Sequence, residues 1–192
     1  MKLKFFIKKE LPSRSNGWQK VISQGSKEEE KLLFKTEKEL VEAYDNGRAI
    51  IALNDEEQIV GFMALWPLGQ DKKENVWYEI GTTYVLKPYR NMGICKAMIS
   101  YSASAWKGNR IIATSRNKKA IRASLHTMVP VEAVEDLEHV IPLTCCCGPE
   151  DGGLDNINCV YRNKECVFMI TPETADCVNY CIRNDIQETI KD

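Results

Sequence analysis

The sequence predicts a mixed α/β domain of the α+β class, in which helices flank a mostly antiparallel central sheet. Two short runs of apolar and β-branched residues, 48–54 and 58–65, stand on either side of the turn Asp55-Glu56-Glu57, a pattern typical of a β-hairpin. A polar loop at 69–75 leads into a third such run at 76–86. Because segments with helical spacing of apolar residues precede and follow these runs, the sheet is predicted to be covered by helices.

Composition is that of one ordinary globular domain. The 192 residues are 44% hydrophobic and 28% charged, with a formal net charge of -1. A nearly neutral chain has no basic field for nucleic acid or an anionic membrane, so neither is expected as a partner. The apolar run Phe5-Phe6-Ile7 is too short for a signal-peptide core or a membrane span, so we expect a cytoplasmic location.

The first 47 residues are predicted to contain a short strand and helices. The strand is expected at 3–7 and a short helix near 18–22. Ser26-Lys27-Glu28-Glu29 matches a capping box, which predicts that one or two further helices begin there. These helices are expected to end at Asn46-Gly47, and their Glu and Lys residues to form a solvated face.

The stretch from Tyr84 to Lys96 is predicted to be a strand end, a turn and the start of a helix. The apolar run stops at Pro88, and beyond Gly93 the apolar residues follow helical spacing. A glycine at a helix start lets a ligand approach the backbone closely. The free N–H groups of a first helical turn attract an anion, so this turn is a candidate phosphate site.

A second strand and helix follow this first helix, which is predicted to end before Gly108. The nearly all-apolar run 110–115 is typical of a strand buried on both faces, and the helical crossover makes it parallel to the strand before the helix. Asn117 is expected to cap a helix over 117–128. The remaining predictions are a strand at 129–140, an irregular loop at 142–158, a hairpin with strands at Cys159 and Cys166, and a closing helix from Pro172.

With these elements in this order, residues 26–135 resemble the GNAT superfamily of acyl-CoA-dependent acyltransferases. The most specific feature is the signature Arg/Gln-x-x-Gly-x-Gly/Ala, matched by Arg90 and Gly93 and imperfectly by Cys95. The resemblance implies a V-shaped splay between the two central parallel strands. It also implies that acetyl-CoA donates an acetyl group to a primary amine, on a small molecule or a peptide.

The resemblance assigns two groups of residues to acetyl-CoA. Backbone N–H groups of the turn would bind the pyrophosphate, and the end of the preceding strand would pair with the pantetheine arm. Asn117 has two readings, as a pantetheine contact or as a plain helix cap. The residues assigned to acetyl-CoA are Tyr84, Val85, Arg90, Asn91, Met92, Gly93, Ile94, Cys95, Lys96 and Asn117.

Two catalytic positions are also carried over by resemblance. Glu79 stands where family members often carry a carboxylate that acts as a base through water, and its alternative reading is a charged residue at an exposed strand end. Ser124 stands where the family usually has an acidic tyrosine, and serine is a poor proton donor. Tyr84 or His126 could replace it, CoA could leave as a thiolate, or the protein could be an inefficient enzyme.

Cysteines dominate the C-terminal end. Seven of the eight follow residue 140, and no Cys-x-x-Cys spacing occurs, so no metal site is assigned. Metal binding, a redox pair and reduced packing cysteines stay open; on a helix Cys177 and Cys181 would share a face. We therefore predict an acyltransferase core at 1–141 and a cysteine-rich part at 142–192 that completes the same domain.

Three further questions stay open at this stage. Cys95 is read as a substitute for alanine, with a reactive thiol as the alternative; at a helix N-terminus its pKa is expected to be lowered if the sulfur faces the dipole. The competing function is a non-catalytic CoA-binding or metal- and redox-sensing protein on the same fold. The amine acceptor and the oligomeric state are not specified, and a homodimer is one alternative.

Overall fold

A computed structural model describes residues 2–29, 32, 34–134 and 166–190 of the chain. Eight strands in these residues form one mostly antiparallel sheet flanked by helices, which confirms the predicted class. The strands are β1 (Lys4–Phe6), β2 (Ala49–Leu53), β3 (Ile59–Gln70), β4 (Val76–Val85), β5 (Arg110–Ser115), β6 (Val129–Val134), β7 (Val167–Ile170) and β8 (Tyr180–Ile182). Their order in the sheet is β1-β2-β3-β4-β5-β7-β6-β8, and β4 and β5 are parallel as predicted.

The helices of the described residues vary in length from four to twelve residues. None of them is long and apolar enough to cross a membrane. They are α1 (Trp18–Lys27), α2 (Glu37–Asp45), α3 (Ile94–Ala105), α4 (Lys118–Ser124), α5 (Pro172–Ala175) and α6 (Ile186–Thr189), with short 3-10 helices at Ser13–Ser15 and Lys87–Tyr89.

The chain divides into two compact units, 1–66 with 80–102, and 67–79 with 103–192. The division therefore passes through β3, β4 and the last turn of α3. The predicted boundary at 141 and 142 lies outside the described residues and stays a prediction, as does the predicted loop at 142–158. The V-shaped splay also stays a prediction.

The first unit is built from β1, β2, the first part of β3 and the end of β4, with helices α1 to α3. The expected hairpin is confirmed: β2 and β3 are antiparallel, with Ala49 opposite Ala64. β1 pairs with β2 at the edge of this hairpin, antiparallel to it, with Lys4 opposite Leu53. The core of this unit is made of buried apolar side chains from both helices and strands: Trp18, Ile22, Leu40, Ala43, Tyr44, Ala49, Ile51, Leu53, Phe62, Ala64 and Tyr84.

The predicted capping box at Ser26 is wrong. Ser26 lies inside α1, and its hydroxyl donates to the carbonyl of Ser23 at 2.9 Å. The capping box of this unit is formed at Thr36, whose hydroxyl accepts from the Glu39 N–H while the Glu39 carboxylate accepts from the Thr36 N–H. The Ser/Thr-x-x-Glu pattern occurs at both places, and α1 continues through the first because the apolar face of Trp18 and Ile22 is buried in the core.

Helix α3 packs closely on β3 at a glycine. A Cβ at Gly61 would lie 3.0 Å from the Met98 Cε and 3.3 Å from the Ile94 Cγ2. Both side chains are almost fully buried. A side chain at position 61 would require Met98 and Ile94 to give way by a few tenths of an ångström, so Gly61 allows α3 to pack closely on β3.

The second unit is organised around β7, which lies between β5 and β6. Ile170 is opposite Ile112 of β5 and Val129 of β6, in antiparallel register. The predicted partner strand at Cys159 lies outside the described residues. The core is again apolar, formed by Leu68, Trp77, Ile112, Val131, Val134, Cys166, Phe168 and Ile170.

Several element boundaries differ from those predicted. β3 continues to Gln70, five residues past the expected end at Leu65, because Leu68 is buried in the second core. α4 ends at Ser124 rather than 128. Cys177 and Cys181 do not share a helix face: Cys177 follows α5 and Cys181 lies in β8, and both are exposed.

Asp71 fixes the β3–β4 turn from a buried position. Its carboxylate accepts hydrogen bonds from the N–H groups of Lys73 and Asn75 at 2.9 Å and from the Trp77 indole at 3.0 Å, and it pairs with Arg110 at 2.7 Å. Burial by itself raises the pKa of Asp71, but the hydrogen bonds from Trp77, Asn75 and Lys73 outweigh it and lower this pKa to about 2.

We therefore expect Asp71→Asn to remove an acid-sensitive contribution to stability. Since the folded pKa lies below the unfolded value, the contribution is fully present above pH of about 4 and is lost as the pH falls towards 2. A shift of this size corresponds to about 2 kcal/mol. Chemical denaturation of both proteins at pH 2 to 7 should show a stability gap that narrows with acidification. A gap independent of pH would contradict this role of the carboxylate.

Candidate functional site

The turn between β4 and α3 has two residues in the left-handed region. Pro88 is the second residue of the short 3-10 helix Lys87–Tyr89. Beyond this helix Asn91 adopts φ of +64° and Gly93 adopts φ of +77°. The first bond of α3 runs from the Ala97 N–H to the Gly93 carbonyl at 3.0 Å. The N–H groups of residues 94–96 therefore precede the first intrahelical bond and are available to a ligand.

Space in front of Gly93 is open. An ideal Cβ built on it meets no heavy atom within 4 Å. The glycine is therefore not required by packing against the protein, and its positive φ is the backbone property that favours glycine here. A helix N-terminus with an exposed, open approach is suited to an anionic group, because the helix dipole and the free N–H groups both favour negative charge.

Arg90 holds this turn in place. Its Nε–H donates to the carbonyl of Val85 at 3.0 Å, and its Nη2 donates to Glu29 at 2.6 Å. Its guanidinium carbon lies 5.6 Å from the centre of the Tyr84 ring. The hydrogen bond to Glu29 raises the pKa of Arg90 above its ordinary value. In this structure, then, the arginine of the signature anchors the backbone of the turn.

A second ion pair joins the same segments of the first unit. Lys87 pairs with Glu28 at 2.9 Å, next to the Arg90–Glu29 pair. The hydrogen bond from Lys87 lowers the pKa of Glu28, and the bond to Glu28 raises the pKa of Lys87. The residues that follow α1 are therefore connected to the turn. Sequence reasoning had placed both glutamates on a solvated face.

Side chains of the turn point in different directions. Ile94 is buried against β3, whereas Asn91, Met92 and Lys96 are exposed. Because these side chains differ in exposure, a ligand could contact successive residues of the turn through their backbone groups. Of the residues assigned to acetyl-CoA in this turn, Asn91, Met92, Gly93 and Lys96 are thus exposed, and Ile94 is buried.

Cys95 is partly buried, and the expected lowering of its pKa is not found. Burial raises the pKa of the Cys95 thiol to about 11. The surroundings of the thiol disfavour the charged thiolate, because it loses its hydration there. The thiol is protonated near neutral pH, which favours the reading of Cys95 as a substitute for alanine.

Tyr84 is a core residue of the first unit. Its side chain is 6% exposed, and a Cβ on Gly25 of α1 would lie 2.3 Å from its hydroxyl oxygen. The Tyr84 side chain is therefore not available to a ligand, and its backbone is the part suited to pair with a pantetheine arm.

Glu79, Asn117 and Ser124 belong to the second unit. Glu79 is half-buried in β4. The Asn117 side-chain oxygen accepts from the N–H groups of Lys119 and Ala120 at 3.0 and 3.4 Å, which confirms it as the cap of α4. Ser124 is buried, and its hydroxyl donates to the Ala120 carbonyl at 3.0 Å. His126 is exposed after α4 has ended.

Metal ligands were an open alternative for the cysteines. Among the described residues no group of three or more His, Cys, Asp or Glu side chains is arranged to hold a metal ion. Cys166 is buried in the second core. The cysteines at 145–147 and 159 lie outside the described residues.

Comparison with known proteins agrees with the fold. At 18% identity, 85% of the chain superimposes on 96% of Rv2747 from Mycobacterium tuberculosis, solved with CoA and NLQ, with a TM-score of 0.53. At 14% identity, 88% of it matches 96% of Arabidopsis thaliana Naa50, solved with the bisubstrate analogue CoA-Ac-MVNAL, with a TM-score of 0.51. No curated protein sequence matches the chain.

A third similar structure is a GNAT superfamily phosphinothricin acetyltransferase from Sinorhizobium meliloti in complex with acetyl-CoA. It is 15% identical, and the match covers 68% of this chain and 78% of that one with a TM-score of 0.51. At these identities the structures show a shared fold. The sequence profile of the acetyltransferase (GNAT) family matches residues 18–124, more than half of the chain, and the chain therefore belongs to this family.

Proposed function

We propose that the protein is an N-acetyltransferase that transfers the acetyl group of acetyl-CoA to a primary amine. The observation that carries this proposal is the turn at Gly93, where an open space meets the N-terminus of a twelve-residue helix within the segment matched by the family. The acetyl-CoA and CoA complexes of the similar proteins support the choice of donor.

In the proposed complex the pyrophosphate binds the backbone N–H groups of residues 93–96, with Asn91 and Met92 beside it. The open approach at Gly93 lets the phosphate oxygens come within hydrogen-bond distance of the backbone. The strand end at Tyr84 and Val85 would pair with the pantetheine arm. Arg90 contributes by holding the turn, since its guanidinium already binds Val85 and Glu29.

The proposed reaction is direct attack of the neutral amine on the thioester carbonyl. Glu79 is proposed as the base that removes the amine proton through water. Ser124 stays a prediction for the acid, and its hydroxyl would have to leave the Ala120 carbonyl in order to donate. If it does not, CoA departs as a thiolate that solvent protonates.

The acceptor is proposed to be an amine on a small molecule or a peptide. The similar proteins include one solved with a peptide bisubstrate analogue and one named a phosphinothricin acetyltransferase. We propose that the reaction takes place in the cytoplasm without nucleic acid or membrane partners.

The proposal is tested by binding and by turnover. Titration calorimetry should detect acetyl-CoA binding, and a panel of peptide and small-molecule amines should release free CoA, measured with a thiol reagent. The amine that accelerates release most identifies the acceptor class. Absence of binding at millimolar acetyl-CoA would refute the proposed function.

Replacing Gly93 should separate ligand binding from folding. Gly93→Leu would place a side chain in the open approach, so we expect affinity for CoA to fall about ten-fold or more. Gly17→Leu is the matched control, because Gly17 has φ of +80° and no heavy atom within 4 Å of an added Cβ. Both variants should lose about 1 kcal/mol of stability from backbone strain. Equal CoA affinity in the two variants would argue against the assigned turn.

Cys95 should react slowly although it lies at a helix start. With its pKa raised to about 11, only about 0.1% of this thiol is ionised at pH 8. We expect iodoacetamide to label the exposed Cys177 and Cys181 well before Cys95 in the folded protein. Peptide mass mapping over time measures the order. Early labelling of Cys95 would instead support a reactive thiol beside the donor.

A further inference from the structure

Thr82 has a backbone conformation that is unusual for its residue type. It lies within β4, is 5% exposed, and has φ of +48°. A β-branched side chain is disfavoured in this region, and such residues persist only where their surroundings hold them. Strain of this kind concentrates at binding sites, and Thr82 lies two residues before Tyr84.

Trp66 at the end of the first unit's part of β3 holds Thr82. The Trp66 indole N–H donates to the Thr82 hydroxyl oxygen at 3.0 Å. The same ring covers the preceding residue, because a Cβ on Gly81 would lie only 2.7 Å from Trp66 Cδ1. The ring therefore both bonds the strained residue and fills the space that a side chain at position 81 would need.

Trp66 is itself held from another side. The Lys35 ammonium lies 4.4 Å from the centre of its ring and pairs with Glu39 of α2 at 3.2 Å. The ring also packs against the core of the first unit. Contacts with Lys35 and with the core thus hold the indole ring in place. Its N–H is thereby kept pointing at the Thr82 hydroxyl of β4.

The backbone direction set at Thr82 determines where the donor site lies. Three residues further on, the Val85 carbonyl accepts the hydrogen bond from Arg90, and Arg90 anchors the turn that leads to Gly93. A relaxation of Thr82 to an ordinary extended conformation would rotate the following peptide groups and displace that carbonyl.

We infer that Trp66 is a positioning residue for the acyl donor. Its hydrogen bond to Thr82 keeps β4 in the strained conformation. In that conformation the backbone of residues 83–85 faces acetyl-CoA, and the Val85 carbonyl lies where Arg90 can bind it. This role rests on the proposed function, since it concerns the affinity of the protein for acetyl-CoA. The bonds of Trp66 described above are to Thr82 and Lys35, which are not among the residues assigned to the turn or to the chemistry, so the effect is expected on donor affinity.

The first test replaces the indole by a ring without the N–H. In Trp66→Phe we expect KM for acetyl-CoA and the dissociation constant of CoA to rise about five-fold while kcat changes less than two-fold, as the loss of one hydrogen bond would give. Trp18→Phe is the matched control, because Trp18 is a buried tryptophan of the same unit that stacks on Phe62. We expect the Trp18→Phe variant to have a lower melting temperature than the wild type and an unchanged affinity for CoA.

The second test distinguishes positioning from loss of packing. Glycine adopts positive φ without strain, so in a Thr82→Gly background the strand no longer needs the indole to hold it. Trp66→Phe is then expected to change CoA affinity less than two-fold. An identical five-fold loss in both backgrounds would mean that the ring acts only by packing, and would overturn the inference.

The remaining outcomes separate this inference from the proposed function. If wild-type protein binds acetyl-CoA and folded Trp66→Phe binds it equally well, the positioning role is refuted and the function stands. If the wild type binds no acetyl-CoA, the proposed function is refuted and the role of Trp66 falls with it. If Trp18→Phe weakens CoA binding as much as Trp66→Phe, the effect is general to the core and the inference is refuted.

Discussion

The hydrogen bonds that Arg90 makes to the preceding strand and to Glu29 are the interactions on which the proposed donor site depends. Four exposed or half-exposed residues in a turn with two positive φ values would not hold one conformation by themselves, because ordering each of them costs conformational entropy. Arg90 overcomes this by binding the carbonyl of Val85 and the carboxylate of Glu29 together. The N-terminus of α3 is thereby fixed before any ligand arrives, which lowers the ordering cost of binding.

The second unit uses the same device with the opposite charge. Asp71 lies in a turn, reaches the backbone of residues 73 and 75, and is joined to the core by Trp77 and Arg110. A buried carboxylate is tolerated because its oxygens are satisfied by these donors. A short loop buries few apolar side chains, so in both turns the hydrogen bonds of one charged side chain stabilise the loop conformation instead. Removal of either charge should therefore affect the loop more than the sheet.

Local patterns in the sequence were sufficient for the elements but not for their contacts. The hairpin of β2 and β3, the start of α3 near Gly93 and the Asn117 cap follow from periodicity and from residue types with distinct backbone preferences. The capping box at Ser26 was wrong because the pattern is local, whereas the burial of α1 that overrides it is tertiary. The raised pKa of Cys95 also has a tertiary cause, since desolvation depends on neighbours distant in sequence. The bonds of Trp66 to Thr82 and of Glu29 to Arg90 join residues 16 and 61 positions apart and leave no periodic signal.

Recognition through backbone groups explains why the signature can vary in this chain. If the donor binds N–H groups, a side chain of the turn matters only when it enters the open approach, and Ile94 and Cys95 both direct theirs towards the protein. A thiol in place of glycine or alanine at position 95 is then compatible with binding.

Binding through backbone groups also limits what the signature can specify about the substrates. Backbone groups are common to every residue type, so in the proposed complex the turn would favour an anionic donor and would carry no information about the amine. Selection of the acceptor must come from side chains outside it, and a loss of donor affinity at Trp66 should therefore leave acceptor preference unchanged.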